Sequence, residues 1–363
     1  MNNLTGLAKS SPVFICIYKI NIIMKTFKQF LLEKQKYSQY DKQVTFITLS
    51  SEIKKLSGNV SDEIKDLNKN CLNQLFHHYS IVDTQDQFIQ IPTDLPICYY
   101  GGHNKKARNF IEDNNLKKSN MYNNPGEMEK SGDKIVFTKL FSDKKWIPKS
   151  VFDKNKVKDN LEFPIIAKVA DGHSGIGIKK FDSFDELEKS TKTFDLFSEF
   201  IDFEREFRIM VFKDKFFMIN ERIPTKSNKS TVKNKKTNDR ISFIYVYTDL
   251  DKIPVEFKDK INTIIKEIRT KIKLDIWSID ICKDKNGDLF AFEINSATGL
   301  GSAKMVAVYK EIYEDFYQKK LPKSYLNNLY KNYVLPAHQF YYKNFKEEIR
   351  ECPWRIDYEK LKP

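Results

Sequence analysis

Trp277-Ser-Ile-Asp-Ile-Cys-Lys-Asp-Lys-Asn-Gly-Asp-Leu-Phe-Ala-Phe-Glu-Ile-Asn295 consists of two alternating segments joined by Asn286-Gly287. Asn-Gly between alternating segments is the strongest short signal for a β-hairpin. With Asn286-Gly287 as a two-residue loop, Asp280 stands directly opposite Glu293. Ser278 then stands opposite Asn295, two residues from Glu293 and on the same side of the ribbon. The other side carries Trp277, Ile279, Ile281, Phe292 and Ile294 and reads as a core face. Two carboxylates held face to face repel one another. A divalent cation between them removes the conflict, and Asp, Glu and Asn supply the hard oxygen ligands that Mg²⁺ prefers. Without a cation, one carboxyl would be protonated or the pair would splay into water.

A second informative run lies about a hundred residues upstream. Pro164-Ile-Ile-Ala-Lys-Val-Ala-Asp-Gly-His-Ser-Gly-Ile-Gly-Ile178 reads as a strand, a glycine-rich loop and a second strand. Glycines at 172, 175 and 177 let backbone N–H groups turn inward around phosphate oxygens. Lys168, on the strand before the loop, adds a point charge. No Gly-Lys-Ser/Thr follows and the next element is not a helix, so this is neither a P-loop nor a dinucleotide fingerprint. Taken alone, the run is equally a hairpin with a glycine turn. Ser183-Phe-Asp-Glu186 then reads as a capping box.

The rest of the 363-residue chain sets bounds. Its 40% hydrophobic content supports a sizeable core and more than one subdomain. No apolar run approaches the ~20 residues of a membrane span. Sixty-two Lys and Arg against 49 Asp and Glu give a formal charge of +13, which points to an anionic partner. Five scattered cysteines without Cys-x-x-Cys argue against a disulfide framework or zinc site and favour a reducing compartment. No Ser/His/Asp or Cys/His arrangement for nucleophilic catalysis is apparent.

The chain divides into a leader or amphipathic segment (1–40), a small α/β domain (41–120), two central units (121–205 and 206–320) and an aromatic helical tail (321–363). Val44–Leu49 and Pro96–Tyr100 read as strands, and Asn123-Asn-Pro-Gly126 as a turn. Phe257, Ile261, Ile264, Ile265, Ile268 and Ile272 form one helical stripe. Residues 226–239 read as a basic loop whose five lysines are either solvated or clamp an acidic substrate.

The order glycine loop with lysine, hydrophobic-acidic segment and Asp…Glu-x-Asn resembles the ATP-grasp enzymes over roughly 120–305. Its closest likeness is to the RimK-type and glutathione-synthetase-like ligases, which join a carboxylate to an amine. The resemblance implies an α/β (α+β) ATP-grasp fold, with a small α/β domain before it and a helical tail after it. Residues 121–205 would then hold the lid subdomain and 206–320 the C-terminal subdomain. The resemblance also implies ATP and two Mg²⁺ ions, for which Mn²⁺ can substitute. Lys134, after Tyr122-Asn-Asn-Pro125, would reach the nucleotide phosphates, as would Lys168. Gly172, Ser174, Gly175 and Gly177 would form the lid loop. Glu199, Phe200 and Ile201 would read the adenine edge, and Glu206 would hold the ribose. Arg208 and Arg222 would flank the triphosphate or acyl phosphate and, with Lys168, carry the chemistry. Asp280, Glu293 and Asn295 would hold the metal. The acceptor-side segment usual after Arg222 in RimK-type proteins is not matched here.

The implied partners are ATP, a carboxylate and an amine, in the cytoplasm and away from membranes. An ATP-grasp kinase that stops at phosphoryl transfer is a second reading. A non-enzymatic phage-head or nucleic-acid-associated protein is a third, but no RNA-binding motif supports nucleic acid as a partner. The phage reading comes from Met24-Lys-Thr-Phe-Lys-Gln-Phe-Leu-Leu-Glu33, which resembles the opening of many T-even-like bacteriophage proteins. Leu31-Leu32-Glu33 also resembles their prohead-protease site. It makes Met24 the expected start, with residues 1–23 an upstream extension, and places the protein in the host cytoplasm or packaged in the capsid.

Overall fold

The computed structural model describes residues 37–49, 62–81, 91–92, 94–100, 109, 116, 120–170, 177–225, 243–296, 299 and 301–357. The expectations for residues 1–33 and for the basic loop 226–239 lie outside the described residues.

Three sheets carry the chain. The first is parallel, with strands β1 (Val44–Leu49), β2 (Phe76–Ile81), β3 (Ile97–Tyr99) and β4 (Met121–Tyr122) in the order β2-β1-β3-β4. Val44, Thr45, Phe46 and Ile47 are all buried, as expected of a parallel strand covered on both faces. Helix α1 (Asp62–Leu75) links β1 to β2 and buries Ile64, Cys71, Leu72 and Leu75.

Asn123-Asn-Pro-Gly126 opens a helix rather than making a free turn. The Asn124 side chain accepts from the Gly126 N–H at 2.9 Å, and Pro125 occupies the first turn of α2 (Pro125–Gly132). The Asp133 carboxylate then caps α3 (Lys134–Leu140) by accepting from the N–H groups of Ile135 and Val136. Met128, Phe137, Phe141, Trp146 and Ile147 pack into the main core with Phe207, Ile209 and Trp277. The first five fall in the expected 121–205 unit, and they share one core with residues of the 206–320 unit.

The second sheet holds β5 (Ser150–Val151), β6 (Ile165–Lys168), β7 (Ile178–Phe181) and β8 (Leu196–Glu199), in the order β5-β8-β6-β7. It has its own core of Val157, Leu161, Ile165, Ala167, Phe181, Leu187, Phe194 and Phe197. The capping box forms at α4 (Phe184–Glu188), where Ser183 Oγ accepts from the Glu186 N–H. The Glu186 carboxylate reaches one residue further back than expected, to the N–H of Asp182.

The third sheet is antiparallel, with β9 (Phe203–Phe212), β10 (Lys215–Pro224), β11 (Phe243–Tyr247), β12 (Ile276–Asp284) and β13 (Leu289–Asn295) in the order β11-β10-β9-β12-β13. Period-2 alternation gives it two distinct faces. Phe207, Ile209, Val211, Trp277, Ile279 and Ile281 pack against the stripe of α5 (Val255–Lys271), at roughly 1.5–3 kcal/mol for each large side chain removed from water. Arg208, Met210, Phe212, Ile276, Ser278, Asp280 and Cys282 lie on the other face. One end of that face, at Phe212 and Ile276, is covered by α6 (Ser302–Tyr317) and the parallel sheet. The other end is the polar end described below.

The tail is helical, as expected: α7 (Lys323–Leu329), a π-helical turn (Tyr330–Val334), α8 (Leu335–Asn344) and α9 (Lys346–Glu351). Beyond it, Trp354 stacks on Phe207 with ring centroids 5.5 Å apart and packs against Phe257 at 4.9 Å. The Arg205 guanidinium lies 3.8 Å over the same indole. Among the described residues no helix is long and apolar enough to cross a membrane. Trp354→Ala removes the ring that ties the tail to β9 and α5. We expect a loss of about 3 kcal/mol in urea unfolding; a loss below ~0.5 kcal/mol, the level of a neutral surface change, would contradict this packing role.

Candidate active site

The hairpin pairs the expected residues, by a different route. Asp280 pairs with Glu293 and Ser278 with Asn295. The loop, however, is not the two-residue Asn286-Gly287. Gly287 N–H donates to the Asp284 carbonyl at 3.1 Å, and the Asp284 carboxylate accepts from the N–H groups of Asn286 and Asp288. Gly287 has φ of +86°, so Lys285-Asn286-Gly287 forms a three-residue loop closed by a left-handed glycine. The register near the loop therefore differs by one residue, and Lys283 pairs with Leu289. A bulge between Asp280 and Ile281 skips Phe292 and restores the expected pairing at Glu293.

The bulge corrects the expected core face. Ala291 and Ile294 are buried in the main core, whereas Phe292 is only partly buried. Its ring lies 5.8 Å from that of Phe203, with the Lys168 ammonium 5.5 Å over it. Phe292 therefore belongs to the site side.

Across the sheet, Asp280 pairs with Arg208 on β9, and Arg208 with Asn220 on β10. Arg208 Nε and a terminal nitrogen donate to the two Asp280 oxygens at 2.6 Å each. Burial alone would raise the Asp280 carboxyl, but the Arg208 guanidinium overrides it and holds the carboxyl below the usual range. Glu293 is held more loosely: Lys134 Nζ lies 3.6 Å from one oxygen, and Asn295 Nδ2 is 3.4 Å from the other. Burial lowers the Lys168 amine, and the nearby Glu293 carboxylate pushes it back up. Lys134 from α3 thus reaches Glu293, and Lys168 from β6 lies over the adjacent Phe292.

Glu206 and Arg222 form a buried ion pair one row along. The Arg222 guanidinium also lies 3.9 Å over Phe243. Glu199 accepts from the Lys149 N–H through its carboxylate at 2.8 Å, and the Phe200 N–H donates to the Pro164 carbonyl at 3.2 Å. One carboxylate oxygen and one N–H of the expected adenine hinge are thereby already engaged. A cavity of about 360 Å³ lies beside it, lined by Phe200, Ile201, Asp202, Asp284, Lys285 and Phe290. Gly172, Ser174 and Gly175 lie outside the described residues. Gly177 has φ of +88°, and a Cβ there would meet Val169 Cγ2 at 2.2 Å, so only glycine fits.

The donors suit Mg²⁺ chemically. Glu293 and Asn295 are partly exposed oxygen donors, and Asp280 keeps lone pairs that the two Arg208 bonds do not use. Among the described residues no three His, Cys, Asp or Glu side chains cluster as a metal site; this set is two carboxylates and one amide.

Lys304 and Tyr245 lie at the site and carry no motif signal. Lys304, on the first turn of α6, is 5% exposed. Its ammonium donates to the Gly299 carbonyl at 3.1 Å and lies 5.0 Å over the Tyr245 ring. The Arg208 guanidinium is 5.1 Å from the same ring. The one available clue was a lone lysine beside the apolar Met305 and Val308 of that helix.

Burial, with Arg208 nearby, lowers the Lys304 amine from 10.5 to about 7. Between those values the unfolded chain holds a proton that the folded chain lacks, so this residue's contribution to stability rises with pH. Lys304→Met should be more stable than the wild type at pH 6. The wild type should close that gap as pH rises from 7 towards 10, as read by urea unfolding at several pH values. A pH-independent difference would contradict the environment described.

No curated protein sequence matches the chain. Residues 133–312 match the family model described as D-ala D-ala ligase C-terminus. The chain is similar in structure to D-alanine–D-alanine ligase from Bacillus anthracis, with TM-score 0.51 and 17% identity over 81% of this chain and 98% of that one. The same enzyme complexed with ATP gives TM-score 0.50 and 17% identity over 75% and 95%. The chain therefore has the ATP-grasp fold, and its residues 133–312 resemble the C-terminal part of D-alanine–D-alanine ligases.

Proposed function

We propose that the protein is an ATP-dependent, ADP-forming ligase that activates a carboxylate as an acyl phosphate for attack by an amine. The observation that carries this reading is the approach of Lys134 to Glu293 and of Lys168 to the neighbouring Phe292, beside Asp280, Arg208 and Asn295. The finer RimK-type reading rests on motif order alone.

ATP lies between the lid and the antiparallel sheet, with its base towards Phe200 and Ile201 and its phosphates towards Lys134 and Lys168. Asp280, Glu293 and Asn295 would hold Mg²⁺, which supplies charge neutralisation at the phosphates. A substrate carboxylate oxygen attacks the γ-phosphorus, and the bond to the bridging oxygen breaks to release ADP. Lys168 and Arg208 face charge that spreads over the transferring oxygens. The amine nitrogen then attacks the acyl carbon, loses its proton, and phosphate departs with the broken C–O bond. No side-chain nucleophile is required. A closed glycine loop would exclude water from the acyl phosphate.

Hydroxylamine tests this reading, because it captures acyl phosphates as hydroxamates. With MgATP and pools of carboxylic acids, wild-type protein should form hydroxamate and ADP together in at least one pool. Lys168→Ala and Glu293→Ala should each lower the rate by about 10²–10³. ADP without hydroxamate in every pool would indicate a kinase. Wild-type rates in either variant would refute the site.

A further inference from the structure

One row of directly opposed residues carries the charged part of the site across the whole antiparallel sheet. It runs from Glu293 on β13 through Asp280 on β12, Arg208 on β9 and Asn220 on β10 to Tyr247 on β11. Arg208 is tied on one side, where it donates twice to Asp280. On its other side stands Asn220, which is fully buried and whose amide oxygen and nitrogen have no hydrogen-bond partner. Side-chain packing, rather than side-chain hydrogen bonding, therefore fills the space between Arg208 and Tyr247, two strand spacings or about 10 Å apart. How firmly β11 is held then decides how tight that packing is.

β11 is the end strand of its sheet, and the helical tail grips it from three directions. On the face that carries the row, the His338 ring of α8 packs against the Tyr247 ring with centroids 4.6 Å apart. On the opposite face, Ile244 and Val246 share a core with Ile349 and Cys352. Along the outer edge, the Ile356 N–H donates to the Tyr247 carbonyl at 3.1 Å, and Thr248 bridges to Arg355. Two of these grips fall on Tyr247, the last member of the row. The tail is itself anchored to the start of α6, where Ser302 Oγ donates to the Tyr333 carbonyl at 2.6 Å. Every one of these tail residues lies beyond residue 312, where the family match ends.

We propose that His338 is a positioning residue for Arg208, acting through Tyr247 and Asn220, and that the tail serves the site as a strap on β11. The His338 ring is 2% exposed, and burial pushes its imidazole down to about 4, so near neutral pH it is an uncharged aromatic wedge. Removing the wedge leaves a cavity beside Tyr247 into which that ring can turn. Tyr247 then no longer backs Asn220, and Asn220 no longer backs Arg208. The two parallel bonds from Arg208 to Asp280 need a fixed approach of the guanidinium, so they are the part of the row that loosens. The inference deepens the ligase reading, in which Arg208 faces charge on the transferring oxygens, but its geometry stands without that reading.

Nuclear magnetic resonance of the full chain with isotope-labelled arginine reads Arg208 directly and needs no substrate. The Arg208 Nε–H signal is assigned by its loss in Arg208→Lys, and its exchange with solvent measures how firmly Asp280 holds it. We expect His338→Ala to speed this exchange about tenfold or more. His338→Phe, which keeps an uncharged ring, should bring it back to within about twofold of the wild type. Ile356→Pro removes the N–H that holds the edge of β11 and should act in the same direction, which guards against failure of the alanine variant to fold. Leu187→Ala, in the separate core of the second sheet, lowers stability without touching β11 and should leave the exchange unchanged. Wild-type exchange in both His338→Ala and Ile356→Pro would overturn the proposal, as would equal acceleration in Leu187→Ala. Where hydroxamate forms, His338→Ala should lower kcat about tenfold and leave the KM for MgATP within about twofold. The exchange pattern without hydroxamate formation would count against the ligase reading and keep the strap.

Discussion

Two carboxylates stand side by side on adjacent strands at Asp280 and Glu293, and the polar half of the fold is arranged around their repulsion. Arg208 offsets the first through two parallel charge-assisted bonds in a largely buried setting. Lys134 and Lys168, from elements outside the antiparallel sheet, offset the second. The asymmetry matters. Asp280 is firmly bound within the sheet, whereas Glu293 is partly exposed and its contacts are 3.4 Å or longer. Glu293 is therefore the member of the pair most able to exchange a protein partner for a ligand.

The surrounding layers make this arrangement possible. The opposite face of the sheet is closed by α5 and the α2–α3 segment, so the sheet is fixed from behind by an apolar core. The second sheet has a separate core and contributes Lys168 from β6. The parallel sheet and α6 close one end of the polar face and deliver Lys304 to it. A bidentate pair such as Arg208–Asp280 adds specificity of register more than stability, since desolvation consumes much of the Coulombic gain. Here it aligns β9 with β12 at the row that also contains Glu293.

Much of this was legible in residue order. Period-2 alternation around Asn286-Gly287 placed Asp280, Glu293 and Asn295 on one face, and the apolar stripe from Phe257 predicted α5. Yet the agreement at Glu293 depends on two compensating irregularities, a three-residue loop and a bulge at Phe292. Neither leaves a clear mark in the pattern, because one extra residue in a half-buried strand changes no residue type. Phe292 was consequently assigned to the wrong face. Asn124 was legible as a local signal but not as a helix cap, since Asn-Pro-Gly serves turns and helix starts alike. Lys304 was invisible for a different reason: α6 crosses onto the sheet only in the tertiary fold, and one lysine beside apolar residues has no motif.

The central claim is that this face binds the phosphates of ATP through Glu293, Lys134 and Lys168. The most direct measurement is a crystal structure of the full chain with Mg²⁺ and a non-hydrolysable ATP analogue. The account predicts that the phosphates lie within hydrogen-bond reach of Lys134 and Lys168, a metal bridges them to Glu293 and Asn295, and the base lies beside Phe200 and Ile201. A nucleotide bound elsewhere, or a Glu293 carboxylate that contacts only Lys134 and Asn295 in the complex, would contradict it.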